Sequence, residues 1–389
     1  MRNLDELIKE LCPGGVPFRR LNECCFLEKG STPIQKAIPG KYPLVVTTAE
    51  RKSSNTFQFS KPTVCVPLVS SRGHGVACLN QVYYQEGQFA LGNILCGITP
   101  KDDSGLSALF LYYYLNLKKD TLIVPLMKGG ANVSLTVSSL GTVKVAIPPM
   151  EIQHEIVSRL KKFEELLGAL NNELSERKEQ YYYYRNRLLS FDSETKMLPL
   201  SEIANVFRGE YITKKGSKEG TVPVILGGQE PAYYIDRSNH DGEIIVIARS
   251  GISAGFVSYW NEPIFVTDGF GYEAKVDLAI PKYLFYVLKR KEPELNAMKR
   301  GAGVPHVSGE ALGQVEIPVP AIEVQKRLVE VLDNFDALCT NLNVGIPAEI
   351  EARKEQYEYY KDLLLTFAET GSTVLTDRQT DRQTDRQTD

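Results

Sequence analysis

Arg72 and Arg249 each follow an apolar run and sit in glycine-containing turns, SRGHG at residues 71–75 and RSG at residues 249–251. A guanidinium on such a turn presents a fork of donors that fits the edge of guanine or a phosphate. Lys128, Lys299 and Arg300 stand in or beside two glycine loops, KGGA at 128–131 and KRGAG at 299–303. Without a Cβ, backbone there can approach a phosphate closely. Lys214, Lys215 and Lys218 cluster in one polar loop just after Tyr211. The alternative for each basic residue is a solvated surface charge, and a structural turn also accounts for the recurring glycine loops.

Other chemistries find no support. His74, His154, His240 and His306 lack paired metal spacing, and Cys-x-x-Cys does not occur. Asp268 with Glu273 and Lys275 resembles a nuclease carboxylate–lysine cluster, but the spacing is tight and the first half of the chain has no counterpart. Leu226, Gly227 and Gly228 lack the P-loop lysine. IPPM at 147–150 lacks the polar residue before the prolines and the aromatic after them that an aminomethyltransferase motif needs. No metal site and no catalysis are therefore expected of this chain.

The elements that must position these residues occur twice. RKEQYYYYRNRLL at 177–189 returns as RKEQYEYYKDLLL at 353–365. Upstream, Gln153 aligns with Gln325, Phe163 with Phe335, Gly129 with Gly301, Gly141 with Gly313 and Pro148 with Pro320, at an offset of 172. Downstream the offset becomes 176, so the second copy has gained four residues. The openings match as well, Leu21 and Gly30 with Leu200 and Gly209, whereas residues 31–126 and 210–297 share little. The plan is a tandem duplication of variable globule and helix. Two similar surfaces in fixed relative geometry suit a two-part target.

Composition fits soluble globular protein: 389 residues, 43% apolar, 24% charged, with no apolar run long enough to span a membrane and a polar start unlike a signal peptide. Six of the seven cysteines lie in the first copy without equivalents in the second, which indicates reduced thiols and a cytoplasmic location. The net charge of −3 hides a basic first globule: residues 1–150 hold 16 Lys+Arg against 10 Asp+Glu, and residues 317–389 hold 8 against 14. That distribution permits nucleic-acid binding by the globules.

The first helical block carries a heptad stripe of Ile156, Leu160, Phe163, Leu167, Leu170 and Leu174, continued through Tyr181, Tyr184, Leu188 and Phe191. The second runs through Leu328, Leu332, Phe335, Cys339, Leu342, Ile346 and Ile350, then Tyr357, Tyr360, Leu364 and Phe367. Its four extra residues read either as a coiled-coil stutter or as a break with Pro347 opening a new helix. A block of roughly 40 residues makes a helix about 60 Å long. The narrow stripes predict antiparallel pairing of the two helices rather than packing of each on its own globule. Tyr182 and Tyr183 then face elsewhere, towards a partner protein. The globules read as mixed α/β with short strands at 63–69, 243–248 and 255–259 and short helices at 106–117 and 282–290.

The chain resembles the specificity (S) subunit of type I restriction–modification systems. The likeness is carried by IPVPAIEVQKRLVEVLDNFDAL with GIPAEIEARKEQYEYYKDLLL, by IPPMEIQHEIV with ERKEQYYYYRNRLL, and by the openings LNECCFLEKGSTP and LSEIANVFRGEYI. It implies an α/β (α+β) fold class, a pseudo-twofold tandem repeat of two mixed α/β target recognition domains separated by long helices that pair as an antiparallel coiled coil. The expected boundaries are 1–148 and 195–318 for the recognition domains and 149–194 and 319–368 for the spacer helices. The resemblance implies a noncatalytic subunit that reads a bipartite double-stranded DNA target. Its partners are two methyltransferase subunits, which bind S-adenosylmethionine, and restriction/translocase subunits, which use ATP and Mg. The alternative is a coiled-coil adaptor whose globules bind protein.

The tail departs from the family pattern. Residues 376–389, TDRQTDRQTDRQTD, have no apolar residue and should be disordered. A tandem ACAG repeat encodes the Thr-Asp-Arg-Gln cycle in all three frames, so slippage alters only the residues encoded beyond the repeat. One reading is that the gene is phase variable and this product ends in one of its frames; the alternative is an inert tail. The gene's sequence checks the first, and mixed codons for the same peptide would defeat it.

Overall fold

The structure, a computed structural model, describes residues 4–48, 50, 52–226, 230–301, 303–340 and 345–370. Gly227, Gly228, Ala302, Leu342, the Phe367 side chain and the TDRQ tail lie outside the described residues. Two compact units divide the chain, one drawn from Met1–Ala169 with Glu351–Asp389, the other from Leu170–Ile350.

In the first unit, an antiparallel sheet runs Cys25–Lys29, Leu95–Pro100, Thr63–Pro67, Tyr83–Gln85. Thr63–Pro67 is buried at all five positions, which explains its unbroken apolar run. Val64 and Val66 face Phe110, Leu111 and Tyr114 of helix Ala108–Leu122, while Cys65 packs with Phe59 and Phe89 on the opposite face. Ser107 caps that helix by accepting from the Phe110 N–H. A smaller sheet, Lys52–Ser54, Tyr42–Val45, Ala90–Leu91, ends in a parallel pair, and Phe18–Arg20 pairs with Lys144–Ala146.

The second unit repeats this topology with different residues. Its main sheet runs Ala204–Arg208, Gly269–Ala274, Glu243–Ala248, Val257–Asn261. Ile245 and Ile247 face helix Pro281–Arg290, and Ile244 and Val246 face away from it. The small sheet Tyr233–Ile235, Val222–Ile225, Phe265–Val266 again ends in a parallel pair. Met197–Pro199 pairs with Glu316–Pro318.

Each helical block is tied to its globule by a fully buried glutamine. Gln153 donates from Nε2 to the carbonyls of Pro148 at 2.6 Å and Gly105 at 2.7 Å and accepts from the Ser107 N–H at 2.8 Å. Gln325 donates to Pro320 at 2.9 Å and Leu278 at 3.0 Å and accepts from the Ile280 N–H at 2.9 Å. One amide side chain thus satisfies three backbone groups that burial would otherwise leave costly.

The long helix Met150–Leu188 contributes to both units. In the first, Phe163 stacks on Tyr360 with centroids 5.5 Å apart, and Leu160 shares a core with Leu364 and Leu365. Glu164 accepts from Tyr113 at 2.8 Å and Tyr357 at 2.9 Å. Burial and then the Glu164 carboxylate push both hydroxyls well above the ordinary tyrosine value, so they remain donors. In the second unit Tyr184 stacks on Phe335 at 5.8 Å, while Tyr181, Leu332 and Cys339 are buried together. Burial, followed by Asp336, pushes the Tyr181 hydroxyl up to about 12. The contact order makes the pairing antiparallel within each unit. Leu167, Leu170 and Leu188 are half-buried, and Tyr182 and Tyr183 are exposed.

Pairing does not replace packing on the globules, contrary to the sequence expectation. Ile156 and Leu160 lie inside the first globule's core, and Leu328 and Leu332 inside the second's. The same narrow stripe serves a globule at one end and a helix further on. Of the two readings of the four-residue insertion, the break holds. Helix Ile322–Thr340 and helix Ile346–Thr370 are separate, with Pro347 in the first turn of the latter. Gly345 has φ +88°, and a Cβ there would meet the Leu338 carbonyl oxygen at 2.7 Å. All seven cysteines are free thiols. No helix among the described residues is long and apolar enough to cross a membrane.

Gln153→Leu or Gln325→Leu keeps the volume and strips the hydrogen bonds. Each should cost about 3 kcal/mol, read as a lower urea midpoint for the unit that carries it.

Candidate nucleic-acid interface

Three strands of each main sheet end together. In the first unit Lys29 pairs with Cys96 and Pro67 with Leu95, so Gly30 and Leu68 leave from one end. In the second, Arg208 pairs with Phe270 and Ala248 with Gly269, so Gly209 and Arg249 do the same. The glycines at the matched openings have a steric cause. A Cβ at Gly30 would sit 2.1 Å from the Gly92 carbonyl oxygen, and one at Gly209 2.8 Å from that of Val266.

The arginine turns and the glycine loops, distant in sequence, meet at this end. In the first unit Lys128 and Ser134 exchange backbone hydrogen bonds at 2.8 and 2.9 Å, folding the glycine loop back on itself. The folded loop then receives the Ser70 N–H on Val133 O at 3.0 Å and the Gly75 N–H on Ala131 O at 3.3 Å. The second unit makes the same construction. Arg300 and His306 exchange both bonds at 2.9 Å, the Gly251 N–H donates to Pro305 O at 3.0 Å, and the Val307 N–H to Arg249 O at 2.9 Å. Arg72 and Lys128 therefore share one loop pair, and Arg249, Lys299 and Arg300 share the other.

Matching these hydrogen bonds shows that the two arginines are not equivalent. Leu135 donates to Leu68 O as Val307 donates to Arg249 O, so Arg249 stands where the first unit has Leu68. Ser70 likewise matches Gly251, and from there the turns diverge, the Ser71 N–H donating to Cys78 O at 2.8 Å. Arg72 lies further out on a longer turn, followed by His74 at φ +59°.

The predicted contact residues divide by what holds them. Arg72, Lys128, Lys214, Lys215 and Arg300 are exposed. Arg249 lies 3.8 Å from the Asp268 carboxylate, which also accepts from the Ser250 hydroxyl. Lys299 Nζ donates to the Ile252 carbonyl at 2.6 Å. Arg249 and Lys299 thus brace the second loop pair as well as charge it. Tyr211 is 89% exposed and leaves from the same end of the sheet, two residues past Gly209. Lys214 and Lys215 come next, in the turn Lys214–Gly216. Among the described residues no hydrogen bond joins that turn to the Arg249 loop.

Sequence reasoning passed over the apolar residues on these loops: Ile252 is 95% exposed, Val304 58% and Val76 46%. Their signal was weak, a single aliphatic residue inside a glycine-rich turn. It weighed Asp268 only for nuclease chemistry; the structure holds it at φ +35° beside Arg249. Asp268, Glu273 and Lys275 do not converge. Glu273 is bonded to His240 at 2.6 Å, and Lys275 Nζ donates to Glu202 O at 2.9 Å. Among the described residues no group of three His, Cys, Asp or Glu side chains could hold a metal ion.

Known proteins share this architecture. Residues 13–177 and 192–352 both match the family model described as Type I restriction modification DNA specificity domain. The chain is 30% identical over 301 residues to the specificity subunit of the type I restriction enzymes EcoR124I/EcoR124II of Escherichia coli, covering 69% of this chain and 73% of that one. It is 28% identical over 319 residues to a putative type I restriction enzyme specificity subunit of Haemophilus influenzae, covering 74% and 79%. The crystal structure of a type I restriction–modification S subunit from M. genitalium is similar in fold, with a TM-score of 0.58 at 20% identity over 91% of this chain and 96% of that one.

The docking of the two loops is itself testable. Gly75 has φ +76°, and a Cβ there would press on the Gly130 carbonyl oxygen at 2.9 Å. Gly75→Ala should weaken the first loop pair by about 1–2 kcal/mol, seen as faster amide hydrogen exchange at Ser70 and Gly75 with the core strands unchanged.

Proposed function

The chain belongs to the type I restriction–modification DNA specificity family, whose domain it carries twice, and from that premise we propose that it reads a bipartite double-stranded DNA target. One observation carries the reading: a braced pair of loops bearing basic side chains stands at the same end of the main sheet in both units. Lysines and arginines on such loops fix register through phosphates, and side chains at the tips select base edges. Two heads on one chain divide the target into two halves. Residues 1–148 and 195–318 are the proposed recognition domains, and 149–194 and 319–368 the spacer that sets the half-site separation.

The same reading gives the helical blocks a second task. The exposed Tyr182 and Tyr183 offer aromatic surface beside Arg187, a composition suited to a protein interface. Two methyltransferase subunits are the proposed occupants, with restriction/translocase subunits completing the complex. S-adenosylmethionine then belongs to the methyltransferase, and ATP and Mg to the translocase. Modification requires the target base to leave the stack, which is work for the partner's active site.

A gel shift with the partner methyltransferase present tests the function. A single bipartite duplex should compete specifically, and equal binding to all duplexes, or to none, would favour the adaptor reading. Within that assay, Lys128→Ala or Arg72→Ala should weaken binding to all sequences alike and flatten the slope of log K against log salt by about 0.9 per lost phosphate contact.

A further inference from the structure

We infer that Ile252 reads a base, its side chain packing on the C5-methyl group of a thymine in the half-site met by the Leu170–Ile350 unit. The inference rests on the DNA reading above and deepens it. Ile252 is 95% exposed and belongs to none of the three apolar clusters of its globule. The fold therefore gains nothing from an aliphatic side chain at this position.

The backbone beneath it, by contrast, is held from several sides. Gly251 N–H donates to Pro305 O at 3.0 Å, Ala254 N–H to Gly251 O at 3.2 Å, and Lys299 Nζ to the Ile252 carbonyl itself at 2.6 Å. Gly251 and Ser253 on either side are small, so the branched side chain stands clear of its chain neighbours on a braced tip, with Val304 the exposed aliphatic residue of the facing loop. A braced loop with an apolar tip is shaped to press on a small apolar target.

The surroundings specify the target. Lys299 reaches the tip's own carbonyl, Arg249 precedes the tip with Asp268 beside it, and Arg300 lies on the facing loop, a basic setting that favours a polyanion over an apolar protein groove. On duplex DNA the apolar feature displayed at a base edge in the major groove is the thymine methyl. The first unit has no such tip: Ser71, next after the last matched position, is tied into its own turn, its N–H donating to Cys78 O at 2.8 Å and its hydroxyl accepting from the Asn80 N–H at 3.1 Å. The two heads thus differ in what they offer at this place.

The test uses the complex assembled with its methyltransferase partners. Its target is first read from the methylation pattern left in cells. The complex is then titrated against duplexes in which one thymine at a time is replaced by deoxyuridine, which lacks only the methyl. At one position the parent should lose about fourfold in affinity, the value of one buried methyl group, and Ile252→Ser should bind the two duplexes equally. The variant should melt with the parent, since the residue supports no core. Equal responses of parent and variant at every thymine would overturn the inference, as would a wedge signature in which the variant loses DNA bending while the parent itself shows no thymine dependence. A parent complex without sequence preference would instead overturn the DNA reading itself.

Discussion

A buried amide at the start of each helical block sets the frame for everything else. Gln153 and Gln325 each bridge the proline segment before the helix to the loop before a short globule helix. The clamp therefore fixes where each helix leaves its globule and, with it, which face of the helix meets the core. The whole course of the stripe is set by that starting angle: Ile156 and Leu160 inward, then Phe163 onto Tyr360.

The two helical blocks and the duplication were legible because they repeat residue for residue and keep one period. Strands 63–67 and 243–248 were legible as unbroken apolar runs, since both faces are covered. Sheet order was not. Residues 31–126 and 210–297 share little sequence, yet they build the same strand order and the same small sheet with a parallel end. Pairing register lies in main-chain hydrogen bonds, to which many side-chain patterns are equivalent. The stripes predict helix pairing as an alternative to packing on the globules because a heptad stripe does not reveal that its ends and its middle meet different neighbours.

For the candidate interface, composition found the basic residues and missed their company. Arg72 and Lys128 are 56 residues apart in the chain, and the Gly75, Ser70 and Leu135 hydrogen bonds bring their loops together. Arg249 looks like the counterpart of Arg72 in sequence because both sit beside glycine after a strand. The hydrogen-bond match aligns it with Leu68, an equivalence that no residue type announces. Asp268, whose neighbours in sequence suggest metal chemistry, proves to be the anion beside Arg249.

Because the loops are held to each other mainly through peptide groups, exposed tip residues such as Ile252 and Val304 carry little of the fold. Substitution at the tips leaves the scaffold's free energy almost untouched. Mutation can therefore explore new preferences along a nearly level stability landscape, and a lineage carrying this chain can alter its loop tips without passing through misfolded ancestors.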